Sequence, residues 1–164
     1  MNLDCAHSPK TAKGLIMEIR RGNVDDVAEL ARLFDLYRQF YECESDLELA
    51  TQFISDRIGN DESTLFVANG DGQGLIGFVQ LYPTFCSVQA AKIFILYDLF
   101  VDSSVRNAGV GAQLMQAAAA YAKDAGAARV DLRTAFTNKP GQHLYEKVGY
   151  RKVLEDFHTY SLQL

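Results

Sequence analysis

One stretch, Phe94 to Ala125 (FILYDLFVDSSVRNAGVGAQLMQAAAAYAKDA), limits what this chain can fold into more than any other. Ile93, Phe94, Ile95, Leu96 and Tyr97 form a β-branched and aromatic run, and Leu99, Phe100 and Val101 continue it past Asp98. An unbroken apolar run of this kind suits a strand covered on both faces. Asp102, Ser103 and Ser104 supply a polar turn, and VRNAGVGA then opens a helix expected to last until Gly126. A strand, a turn of small residues and a helix N-terminus together build an anion cradle. The first helical turn leaves backbone N–H groups without intrahelical acceptors, and the helix dipole favours negative charge at that end. Ala108, Gly109, Gly111 and Ala112 carry so little side chain that a phosphate can approach the main chain closely. Arg106 adds a permanent cation at the lip, with a fork matched to phosphate oxygens. A glycine-rich turn that merely lets strand and helix pack tightly is the plainer alternative. The arginine and the preceding strand favour phosphate.

The type of phosphate loop narrows by elimination. A Walker loop needs Gly-Lys-Ser/Thr, which is absent, and the dinucleotide pattern G-x-G-x-x-G has Leu114 where its last glycine should stand. The run Arg106, Asn107, Ala108, Gly109, Val110, Gly111, Ala112 instead resembles the R/Q-x-x-G-x-G/A signature of the GNAT N-acetyltransferase superfamily. NKPGQHLYEKVGY, from Asn138 to Tyr150, is similar to that family's second cofactor segment, N-x-x-(A/G)-x-x-L-Y-x-K-x-G-(F/Y). The likeness also takes in DLFV before the loop and covers the chain from about Met17 onward. It implies that the amides following Arg106 hold the pyrophosphate of acetyl-coenzyme A, with Asn138 a further cofactor contact. It also implies that the pantetheine arm bonds main-chain groups of Leu99, Phe100 and Val101 like a false strand.

The rest of the chain reads as one α/β domain, residues 17–164, behind a flexible leader of residues 1–16. The leader is not a secretory signal; it is natural or lies upstream of an alternative start at Met17. Met17 to Arg21 is a short strand. Asn23 caps a helix from about Val24 to Phe40, with Asp25 and Asp26 in its first turn and Val27, Leu30, Ala31, Phe34 and Tyr37 on its apolar face. Ser45 and Asp46 start a second helix ending near Gly59. Thr64 to Asn69 and Leu75 to Tyr82 form a hairpin closed by Gly70 to Gly74, with Pro83 ending its second strand. Arg129 to Ala135 is a further strand, Lys139 to Val148 the last helix, and Tyr150 to Leu154 and Phe157 to Leu162 are two closing strands. The resemblance implies a mixed, mostly antiparallel seven-stranded sheet, splayed between its fourth and fifth strands, with about four helices.

Acetyl transfer to an amine requires a neutral amine, a donor for the developing oxyanion and a proton for the departing thiolate. Tyr145 matches the family position whose phenol serves the coenzyme sulfur; alternatively it is an amphipathic helix residue beside Leu144. The amide near Leu99 is the implied oxyanion donor. The general base stays open. Asp98 is a carboxylate interrupting an apolar strand, which suggests either a base or a residue accepting bonds from a neighbouring loop. Tyr97, on the alternate face, is a candidate relay through water, in place of the Glu that polyamine acetyltransferases carry there. Lys147 and Arg151 are either contacts for the adenosine phosphate or ordinary surface charge, and His143 faces solvent.

Composition excludes more than it selects. The 164 residues hold no apolar run beyond strand length, and the net charge of -5 disfavours nucleic acid and favours a cationic acceptor. Glu42, Glu44, Asp46 and Glu48 strengthen that acidic bias, although a solvated turn explains each alone. Cys5, Cys43 and Cys86 have no metal or disulfide spacing, and no basic residue near Cys86 in sequence marks it as a nucleophile. The expectation is a cytoplasmic, metal-independent N-acetyltransferase acting directly on a small cationic primary amine, homodimeric as many relatives are. A protein or antibiotic N-acetyltransferase and a non-catalytic acyl-CoA-binding sensor are the alternatives.

Overall fold

The computed structural model describes residues 17–153 and 160–163. The elements are β1 (Met17–Arg21), α1 (Val27–Phe40), α2 (Leu47–Gly59), β2 (Thr64–Gly70), β3 (Gly74–Cys86), β4 (Ala91–Val101), α3 (Val110–Asp124), β5 (Val130–Leu132) and α4 (Lys139–Lys147). The strands lie side by side in chain order, antiparallel except for the parallel pair β4–β5. Helices cover both faces, as a strand set with few polar positions demands. Leu30, Leu33 and Phe34 of α1 and Ile54 of α2 pack with Phe78 and Phe100 on one face. Leu114, Met115 and Ala118 of α3 pack with Val79, Phe94 and Leu96 on the other.

The seven-stranded expectation is corrected: among the described residues there are five strands. Residues 150–153 and 160–163 take no strand conformation, and Arg151, Lys152 and Val153 stay exposed rather than burying one face against the sheet. The other residues of the two expected closing strands, 154–159, lie outside the described residues.

Local chemistry explains the helix starts. Asn23 Oδ1 accepts from the Asp25 amide at 2.8 Å and Asp26 Oδ2 accepts from the Asn23 amide at 2.9 Å, a reciprocal cap over a 3₁₀ turn (Val24–Asp26) that leads into α1. Asp26 is further gripped by both terminal nitrogens of Arg20, each at 2.7 Å. Asp46 caps α2 through the Leu49 amide. The buried Asp35 ties the α1–α2 connection to α1, accepting from Ser45 Oγ at 2.7 Å and the Asp46 amide at 2.8 Å.

Pro83 does not end β3, which runs on to Cys86 opposite Ala91. β2 reaches only Leu81, so beyond it β3 has β4 alone for a neighbour, and an edge tolerates proline. The helix after the glycine loop also begins later than expected. Ser103–Val105 is a separate 3₁₀ turn capped by Asp102, and α3 starts at Val110.

Two irregularities in β4 shape the site. Gln80 opposes Asp98 while Leu81 opposes Leu96, so Tyr97 is an extra, bulged residue. The bulge resets the alternation: Phe94 and Leu96 join the α3-side core, whereas Phe100 joins the α1-side core. In addition, β5 pairs with β4 only at Phe94, Ile95 and Leu96. Past Leu96 the β5-facing edge of β4 has no strand partner among the described residues, because β5 ends at Leu132.

Candidate active site

The glycine loop lies where that open edge ends. Arg106 is exposed, its Nε donating to the Val101 carbonyl at 3.1 Å and its guanidinium standing 5.8 Å from the centre of the Phe100 ring. Asn107 (φ +64°) and Gly109 (φ +85°) both take left-handed backbone conformations, which turn the chain sharply into α3. A Cβ built at Gly109 would meet nothing within 4 Å, so glycine is required there by its dihedral angle rather than by crowding. Gln113 is the first α3 residue whose amide reaches a helical carbonyl, that of Gly109 at 3.2 Å. The amides of Val110, Gly111 and Ala112 precede it and point out of the helix start. The arrangement fits a diphosphate: donors, positive dipole, an arginine and an open approach.

Gly111 has a second task. A Cβ there would come within 3.0 Å of Leu144 Cδ2, so its bareness lets α4 settle against the first turn of α3. Val110 is buried in the α3-side core, and Leu99 and Val101 pack against the same core. That packing fixes the cradle and Tyr145, which follows Leu144, in one rigid unit.

Tyr145 is half-buried, and burial pushes its phenol above its ordinary value, opposed by the neighbouring Thr134 hydroxyl. Asn138 caps α4, with Oδ1 accepting from the Gly141 amide at 3.1 Å and Nδ2 donating to Thr134 Oγ1 at 3.0 Å. Asn138 and Thr134 therefore position the helix and the surroundings of the phenol together. Tyr150 lies against Tyr145 with ring centres 6.4 Å apart, and its buried hydroxyl has no hydrogen-bond partner among the described residues.

Asp98 is 8 % exposed. Gln80 Nε2 donates to its Oδ2 at 2.7 Å, and Gln80 Oε1 is itself occupied by Ser63 Oγ at 2.8 Å. The carboxylate, which only accepts, thus fixes which end of the glutamine amide faces it, and the serine hydroxyl donates to the other end. Burial raises the Asp98 carboxyl above the ordinary carboxylate range, against smaller opposing pulls from Gln80 and the Tyr37 hydroxyl. Tyr37 also donates to the Tyr97 carbonyl at 3.3 Å. Asp98 accordingly has its partners on β3 and α1, not on a loop.

The bulge also changes the expected place of Tyr97. Instead of facing away from Asp98, it lines the same cavity of about 370 Å³, together with Tyr82, Phe53 and Arg57. Tyr97 is exposed and meets Tyr82 edge to face at 5.5 Å. Glu42, Glu44, Asp46 and Glu48 do not line this cavity. Lys147, Arg151 and His143 are exposed.

Sequence reasoning missed Gln80, Ser63, Tyr37 and Arg57. Gln80 left a signal, as the one amide inside the apolar run LIGFVQLY; nothing marked Ser63 or Arg57. It also found no basic partner for Cys86, whereas the Arg129 guanidinium of β5's approach lies beside that thiol and lowers its pKa. Arg129 bonds Asp131 at 2.9 Å and Gln89 as well.

A glycine cradle at a strand–helix junction, an open edge on the strand before it and a phenol packed beside it define a CoA-type acyltransferase architecture. The family model described as acetyltransferase (GNAT) family matches residues 30–150, and the chain belongs to that family. It is 43% identical over 136 residues to a Bacillus subtilis (strain 168) protein named uncharacterized N-acetyltransferase YhfO, covering 83% of this chain and 91% of that one. It superposes on the crystal structure of a probable acetyltransferase with TM-score 0.82 and 32% identity, over 90% of this chain and 97% of that one. It shares the fold of an aminoglycoside N-acetyltransferase solved with CoA, with TM-score 0.79 and 19% identity over 94% and 99% of the two chains. The protein is a GNAT acetyltransferase that uses acetyl-CoA. No described helix is long and apolar enough to cross a membrane.

Proposed function

We propose that this enzyme transfers an acetyl group directly to the nitrogen of a small cationic primary amine. The observation that carries this reading is the buried Asp98 carboxylate lining a cavity beside the open edge of β4. A carboxyl whose pKa is raised by burial is a better proton acceptor than an exposed one, and it attracts a protonated amine before accepting its proton. Asp98 is the base, and Tyr97, in the same cavity, orders the approach to it. The net charge of -5 favours cationic acceptors over polyanions.

Acetyl-CoA supplies the acetyl group as a thioester. The amides of Asn107, Ala108, Gly109, Val110, Gly111 and Ala112 bind its diphosphate with Arg106 at the lip. Main-chain groups of Leu99, Phe100 and Val101 receive its extended arm, and Asn138 completes the cofactor wall. The Leu99 amide donates to the carbonyl oxygen as charge develops there. Tyr145 gives its proton to the departing sulfur; a phenol with raised pKa keeps that proton at neutral pH. Residues 17–164 form the catalytic domain, residues 1–16 a leader, and the working form is a cytoplasmic homodimer.

The test is release of free coenzyme A from acetyl-CoA across a panel of primary amines. Turnover is expected with at least one amine and is expected to fall about 10²-fold in Tyr145→Phe, as removal of a general acid does. Tight acetyl-CoA binding with no turnover would replace the enzyme reading with that of an acyl-CoA sensor.

A further inference from the structure

Arg57 takes no part in the chemistry above, yet it lines the same cavity as Asp98. Its position is built. The guanidinium lies 4.7 Å from the centre of the Phe53 ring, and Nε donates to Glu62 Oε2 at 2.6 Å. Both contacts hold the fork from one side. Among the described residues neither terminal nitrogen, NH1 or NH2, makes a hydrogen bond, so the edge best suited to a carboxylate carries no protein partner.

Arg57 and Asp98 do not neutralise each other. Asp98 is bonded by Gln80 at 2.7 Å, whereas Arg57 pairs with Glu62 at 2.6 Å. The cavity therefore has an acid at one place, a cation at another, and the aromatic walls of Phe53, Tyr82 and Tyr97 around them. A plain diamine would satisfy Asp98 but leave the terminal nitrogens of Arg57 without an acceptor. A molecule carrying an amine and a carboxylate satisfies both. The space of about 370 Å³ is open to solvent, so the two polar groups, rather than enclosure, select the ligand.

We infer that the acceptor is a small amino carboxylate, its amine directed to Asp98 and its carboxylate received by the terminal nitrogens of Arg57. This rests on the acetyltransferase reading of the same site and narrows its substrate class.

The experiment compares kcat/KM, with the full chain and acetyl-CoA, for acceptors matched except for the carboxylate: L-lysine against cadaverine, L-ornithine against putrescine, 5-aminovalerate against butylamine. The carboxylated member of at least one pair is expected to be favoured tenfold or more, mainly through KM. In Arg57→Gln that preference is expected to fall to within about twofold of unity, with acetyl-CoA affinity unchanged by calorimetry, which also shows that the variant is folded. Glu62→Gln loosens the same ion pair but keeps the guanidinium, and it is expected to retain the preference. Equal or better turnover of the decarboxylated partners, or a preference that survives in Arg57→Gln or disappears in Glu62→Gln, overturns the inference while leaving acetyl transfer intact. Absence of coenzyme A release with every amine, charged or not, overturns both.

Discussion

Gln80 and Asp98 face each other across the β3–β4 ladder, with 2.7 Å between the amide nitrogen and the carboxylate oxygen. Ser63 donates to the other end of the glutamine, and turning the amide over would set its oxygen against the Asp98 carboxylate. A hydrogen bond to the ionised form lowers a carboxyl's pKa, and this one offsets part of the burial effect. Gln80→Leu removes it. Bonds to charged groups contribute about 1.5–3 kcal/mol, and one pKa unit is about 1.4 kcal/mol. The acid limb of kcat/KM is therefore expected to move up by about one to two pH units, measured with a fixed amine of high pKa. An unmoved limb would remove Asp98 from the role of base.

Asp98 should also leave a mark on stability. Its native pKa is raised, so the folded state binds the proton more tightly than the unfolded chain does. Its stabilising contribution is full below the unfolded value of about 3.9 and is lost as pH rises through the higher native value. Asp98→Asn is thus expected to gain in Tm relative to the parent protein at pH 8 and to lose that gain near pH 4. Thermal denaturation across the range measures it, alongside a loss of activity of about 10²-fold or more.

Asp26 carries the opposite sign. The bidentate bond from Arg20 holds its carboxyl below the ordinary range, helped by the Asn23 amide. Its contribution is present above the unfolded pKa and is lost as pH falls through the lower native value. Asp26→Asn is expected to cost about 2 kcal/mol at pH 7, the combined scale of a lost cap and a charged hydrogen bond. The difference from the parent protein should shrink as the pH drops below about 4. Urea denaturation at pH 7 and pH 3 tests both parts.

Much of this was legible in the sequence because it depended on neighbours along the chain. The cap at Asn23, the apolar stripe of α1, the cradle after Arg106 and the start of α4 at Asn138 are local, and the residues that build them lie within a few positions of one another. What depended on strand register was not legible. The bulge at Tyr97 follows from how β3 lies against β4, and it alone brings Tyr97 and Asp98 into one cavity. Pro83 read as a strand end because sequence does not show that β2 stops opposite Leu81. Gly111 read as room for a phosphate; that its missing Cβ also makes room for Leu144, 33 residues further along, was not legible. Arg57 and Ser63 could not be assigned to the site, because α2 carries the first to the cavity and the β2–β3 register sets the second beside Gln80.

The most direct measurement is a calorimetric titration of acetyl-CoA into the parent protein and into Gly109→Glu. Gly109 is exposed and its Cβ direction meets no protein atom, so the substitution leaves the core alone while it strains the left-handed turn (φ +85°) and puts a carboxylate at the mouth of the cradle. Saturable one-to-one heat in the parent protein, weakened at least tenfold in the variant at matched far-ultraviolet circular dichroism, is the expected result. No heat in the parent protein, or equal affinity in the two, would contradict a diphosphate held on the amides that follow Arg106.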